Sequence, residues 1–273
     1  MFVGTRLGWF FLWICLLVSG KNGANAEPYT VGWFLWDPYV LEVEENGVQK
    51  LSGLNVELAN AVFEKMDLEV EWKEVEWKAY MDEMARLKGD IAVGASLTSE
   101  REKVAWFSDP FFEESIILLG RRNVPNLESD LSPADLLQKV EDLGLRVVYV
   151  DGYYYGPAVL NFIENLPEEQ RVGTMNDSVS MDLLLNNEAD VMIADRFVAT
   201  TIAWRADALD EIEIYPALLN RSSMHVMFGK GSFDPEIRDE FNRTLAEMEL
   251  DGSIQDIKRR YMLPVLLEIT LHS

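Results

Sequence analysis

Short apolar runs alternate with segments of helical period along most of this chain, and the alternation occurs twice. In the first half, Tyr29 to Leu35 reads as a strand. Leu54 to Met66 reads as an amphipathic helix, with Leu54, Leu58, Val62 and Met66 on one face. A strand (Leu68 to Trp72), a helix (Lys78 to Leu87) and a strand (Ile91 to Val93) follow. In the second half, Leu145 to Val150 reads as a strand, and Pro157 to Asn165 as a helix with proline in its first turn. Ser178 to Asn187 reads as a helix capped by Ser178, and Val191 to Ala194 as a strand. Neighbouring parallel strands need a crossover connection, so repeated βα units constrain the chain to an α/β fold with parallel sheets. Two such lobes are predicted.

Two segments rich in polar residues and breakers, Arg121 to Leu131 and Pro216 to Ser223, are candidate crossings between the lobes. Beyond the second, Met224 to Phe228 reads as a strand, and Pro235 to Tyr261 is helical in period. The expected division is therefore lobe 1 from residues 27–119 and 219–273, with lobe 2, residues 120–218, inserted between them.

Residues 1–26 differ in kind from the rest. Arg6 precedes an apolar run from Leu7 to Ser19, no acidic residue occurs before Glu27, and Ala24-Asn25-Ala26 offers a small-residue cleavage site. This is the layout of a cleaved secretory signal; the apolar run is shorter than the roughly 20 residues that span a bilayer. The only cysteine, Cys15, lies inside that run, so the exported protein is expected to depend on its core rather than on disulfides. Cleavage would remove Arg6 and Lys21, two of the 24 basic residues, and none of the 47 acidic ones. The net charge then moves from -23 to -25. Such acidity argues against nucleic acid as a partner, because that requires a basic stripe to displace counterions. A composition 48% hydrophobic and 11% aromatic supports a packed core rather than a disordered chain.

Enzyme motifs are sparse. No HExxH, phosphate loop, nucleophile elbow or Cys/His cluster occurs in the sequence. His225 lies in an apolar strand, where a packed histidine is the expectation. More telling is the loop after the first strand, where Trp33, Phe34, Trp36 and Tyr39 crowd around Asp37 and Pro38. Ligands bind at the carboxyl ends of strands in α/β sheets, which makes this loop a candidate stacking wall. After Ile91 to Val93 comes Gly94-Ala95-Ser96-Leu97-Thr98-Ser99-Glu100-Arg101. Hydroxyls, open amides and a guanidinium at one strand end suit a carboxylate, although a Thr-x-x-Arg turn equally suits a helix cap.

Several motifs follow one another along the chain: a Gly before the first helix (Gly53), "GD" before a strand (Gly89-Asp90), "TSER" (Thr98 to Arg101), "FSDP" (Phe107 to Pro110) and "NNEADVMIADRFVA" (Asn186 to Ala199). Together they resemble the extracytoplasmic solute-binding proteins of family 3, the amino-acid receptors of bacterial ABC importers. The resemblance implies a two-lobed periplasmic-binding-protein-like fold (type II), monomeric, that closes on a small amino-acid-like solute and hands it to a membrane permease. It implies no cofactor and no metal. Arg101 matches the arginine that holds the ligand carboxylate, with Ser96 and Thr98 in the accompanying loop. Asp195 matches the acid that pairs with the ligand ammonium, and Trp36 and Trp77 the positions that sandwich its side chain. Gly152, Tyr153 and Tyr154 match a turn of the second lobe whose amides also meet the carboxylate. Relatives often carry an acid where Trp33 stands, and "GYYYG" (Gly152 to Gly156) replaces their usual small turn. These aromatics, with the acidity, suit an aromatic, cationic or amine-bearing ligand. Two alternatives share the fold: a receptor that signals to a membrane sensor, and a cyclohexadienyl dehydratase-like enzyme using Glu113, Glu114 or Asp195.

Overall fold

The computed structural model describes residues 27–122 and 124–272, and the expected leader, residues 1–26, lies outside them. The chain opens with strand β1 (Tyr29–Trp33) and the hairpin β2 (Leu41–Glu45) and β3 (Val48–Ser52). That hairpin turns on Asn46 and Gly47, both at positive φ, the conformation an Asn-Gly turn favours. Helix α1 (Leu54–Lys65), β4 (Val70–Glu74), α2 (Trp77–Ala85), β5 (Ile91–Ser96), the single turn α3 (Ser99–Glu102) and β6 (Ala105–Phe107) complete the first half. Strand β7 (Phe112–Arg121) leads into α4 (Pro133–Asp142), β8 (Val147–Val150), α5 (Pro157–Asn165), β9 (Arg171–Thr174), α6 (Asp177–Leu185), β10 (Val191–Asp195) and α7 (Arg196–Arg205). The long strand β11 (Ile212–Gly229) returns to the first half, where α8 (Glu236–Leu250) and α9 (Ser253–His272) follow.

One sheet runs through both halves in the order β4-β1-β5-β11-β7-β10-β8-β9, with β6 also paired to β11. Within each half the neighbours that arise from βα units are parallel: β1 with β4 and β5, and β8 with β9 and β10. Every antiparallel pair of this sheet involves β7 or β11, the two strands that join the halves. This is the α/β fold expected from the sequence, with its parallel units separated by a crossing pair.

That pair places the passage between halves inside regular structure. Strand β7 pairs with β11 from Phe112 onward, and from Ile116 it also pairs with β10, so the expected lobe edges at 119 and 218 fall within strands. Strand β11 continues through Pro216, which has no N–H to donate. The register shifts between Ile214 and Leu218 and again before Asn220, and those irregularities accommodate the proline.

Helices cover both faces of each half. In the first, Ile91 and Val93 pack with α1, α8 and α9 on one face, while Ala92 and Ala95 meet Tyr80 and Met84 of α2 on the other. The second half has an equivalent pair of clusters around β8 and β10. One start differs from the sequence reading: α6 is capped by Asn176, whose side chain accepts from the Val179 amide, and Ser178 lies inside the helix. The helical tail is two helices, broken at Asp251-Gly252, with Gly252 at positive φ. His225 is buried, and its Nδ1–H donates to the Ser108 carbonyl at 2.7 Å, the packed role expected of it.

Candidate functional site

A cavity with about 460 Å³ of atom-free space, part of it open to solvent, lies between the two halves. Its walls follow the carboxyl ends of parallel strands: Phe34 and Trp36 after β1, Trp77 after β4, Ser96 and Arg101 at and after β5. Tyr153, Tyr154 and Tyr155 follow β8, Asp177 follows β9, and Asp195 ends β10, while Glu114 and Ile116 come from the crossing strand β7. Parallel strands aim their carboxyl ends and the free amides of the following helices the same way, so this edge collects polar groups. Trp36, Trp77, Ser96, Arg101, Tyr154 and Asp195 thus come together around one space. Thr98 does not line this space: its hydroxyl accepts the Arg101 amide at 3.3 Å as the cap of α3, and it lines an adjoining groove that shares Arg101, Tyr153 and Tyr154 with the cavity.

Arg101 is the cation of the site. Its Nη1 donates to the Ser96 carbonyl at 2.9 Å, and the guanidinium lies 5.6 Å from the Trp77 ring centre. It forms no salt bridge among the described residues. Burial pulls its pKa down, against the opposing charges of Glu114 and Tyr154. A desolvated guanidinium without an acidic partner is a receptor for an anionic group from outside the chain.

The aromatic wall is continuous. Phe34 is 5.8 Å from Trp36, 5.2 Å from Trp77 and 5.8 Å from Tyr153, and Trp36 is 5.9 Å from Tyr153. Gly94 lets Trp36 in: it sits at φ 86°, and a Cβ there would meet the indole at 2.7 Å.

Three buried carboxylates stand against the single guanidinium. Glu114 accepts from Ser96 Oγ at 3.2 Å and Ser222 Oγ at 3.1 Å, both on Oε2. Burial, reinforced by Asp195, pushes its pKa up to about 8. Asp177 is 3% exposed and is pushed up to about 7, by burial first and then by Asp195. Asp195 is raised by burial, against four donors that hold its charge: Tyr39 Oη (3.2 Å), the Phe197 and Val198 amides (3.0 and 3.2 Å) and the Ser115 amide (2.8 Å). It is therefore the cap of α7 as well as a wall of the cavity.

A family model for "Bacterial extracellular solute-binding proteins, family 3" matches residues 34–264. The chain belongs to this family. The arginine-binding extracellular protein ArtP of Bacillus subtilis (strain 168) is 24% identical over 213 residues, covering 77% of each chain. Among solved structures, an ancestral arginine-binding protein bound to glutamine superposes with a TM-score of 0.70 at 22% identity, over 86% of this chain and 97% of that one. A histidine kinase sensor domain with similarity to periplasmic binding proteins gives 0.71 at 20% identity, over 86% and 96%. At these identities the structural likeness is one of fold. Family membership implies a location outside the cytoplasm and small-solute binding, and no helix among the described residues is long and apolar enough to cross a membrane.

Phe34, Glu114, Tyr155 and Asp177 enlarge the site beyond the matched positions. A signal for Glu114 is present in the strand period, which places it on one face of β7 with Ile116 and Leu118, both buried. Asp177 carries no such mark, because an acid in the first turn of a helix is an ordinary surface feature.

Proposed function

We propose that this protein is an exported receptor that captures a free amino acid in the cavity between its halves and delivers it to the permease of an ABC importer. The observation that carries this reading is the pairing of chemistries in one aromatic-walled space: a desolvated, acid-free Arg101 for a carboxylate, and buried acids for an ammonium. In this reading Arg101, with the Ser96 hydroxyl and the Tyr154 turn, takes the α-carboxylate. Glu114 and Asp195 face the α-ammonium. Trp36 and Trp77 hold the side chain between rings, and Thr98 acts indirectly by fixing the turn that carries Arg101. Lobe 1 (residues 27–119 and 219–273) and lobe 2 (120–218) close around β7 and β11, and ligand binding shifts the open–closed population. Residues 1–26 serve as the export signal.

Titration of the purified protein with a panel of amino acids, amines and carboxylates, followed by tryptophan fluorescence, tests the reading. Amino acids should quench or shift the emission of Trp36 and Trp77, and Arg101→Ala should remove the response. An unchanged response in that variant would sink the carboxylate assignment. The resemblance to a sensor domain favours one second reading, in which the closed form engages a membrane kinase. Transport by reconstituted permease with and without the receptor separates the two. Release of product from prephenate or arogenate would displace both in favour of catalysis.

A further inference from the structure

The two indoles of the cavity wall are held in place by the structure around them. The Trp36 N–H donates to the Val40 carbonyl at 2.8 Å, its carbonyl accepts the Tyr39 N–H at 2.7 Å, and its ring packs on that of Tyr39 at 4.5 Å. Trp77 opens α2, whose cap Glu76 accepts the Lys78 and Ala79 amides. Phe34 is fixed by neither device, because it lies between the end of β1 at Trp33 and the bridge that Trp36 makes to Val40. Its ring nevertheless meets both indoles. It lies 5.8 Å from Trp36, with the planes 20° apart, and 5.2 Å from Trp77, inside the separation at which aromatic rings attract. Tyr153 of the second half meets it edge-on at 5.8 Å and meets Trp36 at 5.9 Å. Any group stacked on both Trp36 and Trp77 must stand within ring contact of each, and Phe34 already does.

We infer that Phe34 is a built-in occupant of the side-chain slot and so sets the size of ligand that the site prefers. The inference rests on the amino-acid receptor reading above, in which the ligand's side chain lies between Trp36 and Trp77. An aromatic or branched side chain enters that slot only by displacing Phe34 from its three ring contacts. Glycine, which has no side chain, uses only the polar groups of the cavity, Arg101 with Ser96 and Glu114 with Asp195. Rotation of the Phe34 side chain breaks no strand pairing, and Leu35 beside it is 41% exposed, so this loop borders solvent. Displacement is thus allowed by the backbone and opposed by the packing. Specificity is a difference of affinities, and a site that must first expel its own ring is biased towards small amino acids.

Calorimetric titration of wild type, Phe34→Ala and Phe34→Leu with glycine, L-phenylalanine and toluene tests the inference. Toluene is the phenylalanine side chain as a free molecule, so it reports on the slot without the carboxylate or the ammonium. Wild-type protein should bind glycine more tightly than L-phenylalanine. Phe34→Ala should raise the ratio of L-phenylalanine to glycine affinity by about tenfold or more, as expected when three ring contacts no longer have to be given up. Phe34→Leu leaves a smaller apolar filler and should raise the ratio less; it serves as the second variant if Phe34→Ala does not fold. Toluene should bind Phe34→Ala in competition with L-phenylalanine, and not the wild type, because apolar space left by a deleted ring accepts such molecules. A wild type that prefers L-phenylalanine, or a ratio unchanged or lowered in both variants, would overturn the inference and leave the receptor reading standing. Toluene bound by Phe34→Ala, with neither amino acid bound by any of the three proteins, would overturn the receptor reading and keep Phe34 as the occupant of the slot. Absence of binding by all three probes would overturn the inference.

Discussion

Asp195 and Asp177 are two acids in similar places with different partners. Each stands at the start of a helix in the second half of the sheet, each is nearly fully buried, and burial raises the pKa of both. Asp195 accepts from four donors drawn from three elements: Tyr39 in the β1–β2 loop, Ser115 in β7, and the first amides of α7. Asp177 leaves Oδ2 with none. Burial and a shifted pKa alone would assign these residues the same role. The count of donors separates a carboxylate bonded across the two halves while it lines the cavity from one that keeps an oxygen free of aligned donors.

The largest effect that could break this contrast is on stability. Asp195→Ala removes a cap and strands the buried Ser115 N–H and Tyr39 hydroxyl, so urea unfolding should show a loss of about 3 kcal/mol. Asp177→Asn removes an unpartnered buried charge and should be neutral or stabilising by up to about 1 kcal/mol near pH 8. A larger loss in Asp177→Asn than in Asp195→Ala would reverse the comparison. Next comes Arg101→Ala, which should cost carboxylate-bearing ligands about 2 kcal/mol, close to 30-fold, with little change in the unfolding midpoint. A ligand without a carboxylate should be affected far less.

The contrast also explains what was legible in the sequence. Strands such as β5 and β10 are continuous buried apolar runs whose ends are marked by polar turns, so both their existence and the sites at their ends could be read directly. Trp36, Ser96 and Arg101 belong to such ends. The crossing strands were harder: Pro216 and the polar residues after it look like a break, yet β7 supplies enough partners for β11 to run through with shifted register. Glu114 and Asp177 were obscured for another reason. Each lies among charged or polar neighbours that suggest a solvated face, yet each is buried and lines the cavity. The α6 cap is Asn176 rather than Ser178 because β9 ends at Thr174 and the Asn176 side chain accepts from the Val179 amide.

A smaller effect follows from pH. Glu114 and Asp177 have folded-state pKa values of about 8 and about 7, above their ordinary values of 4.5 and 3.8. Between those limits the folded protein holds protons that the unfolded chain releases, so stability from these groups is fullest below about pH 4 and declines as pH rises towards 8. The unfolding midpoint of ligand-free protein should therefore fall between pH 5.5 and 8.5, and Asp177→Asn should flatten that slope. Asp190 and Asp251, whose pKa values are lowered, titrate below this window. An amino-acid ligand's ammonium should be held more tightly at the upper end, where the carboxylates are ionised. A flat affinity profile would mean that they do not face the ligand's charge.

The smallest expected effect lies at the other end of α7. Arg205 approaches Asp37 at 3.2 Å, but Asp37 Oδ1 makes no aligned hydrogen bond, and the arginine side chain is 45% exposed. Burial outweighs Arg205 in setting the Asp37 pKa, which is raised. Helix α7 is thus tied to the β1–β2 loop twice, by a buried, multiply bonded carboxylate at its start and by a half-exposed ion pair at its end. Solvent screening and side-chain entropy limit such a pair to about 0.5 kcal/mol. Arg205→Ala should lower stability by no more than that, and less still in high salt. Small-angle scattering of the ligand-free protein should show at most a slight shift towards the open form, whereas Tyr39→Phe, which removes a donor from Asp195, should shift it further. The reverse order would place the closing interaction at the surface and leave the saturated Asp195 as a helix cap alone.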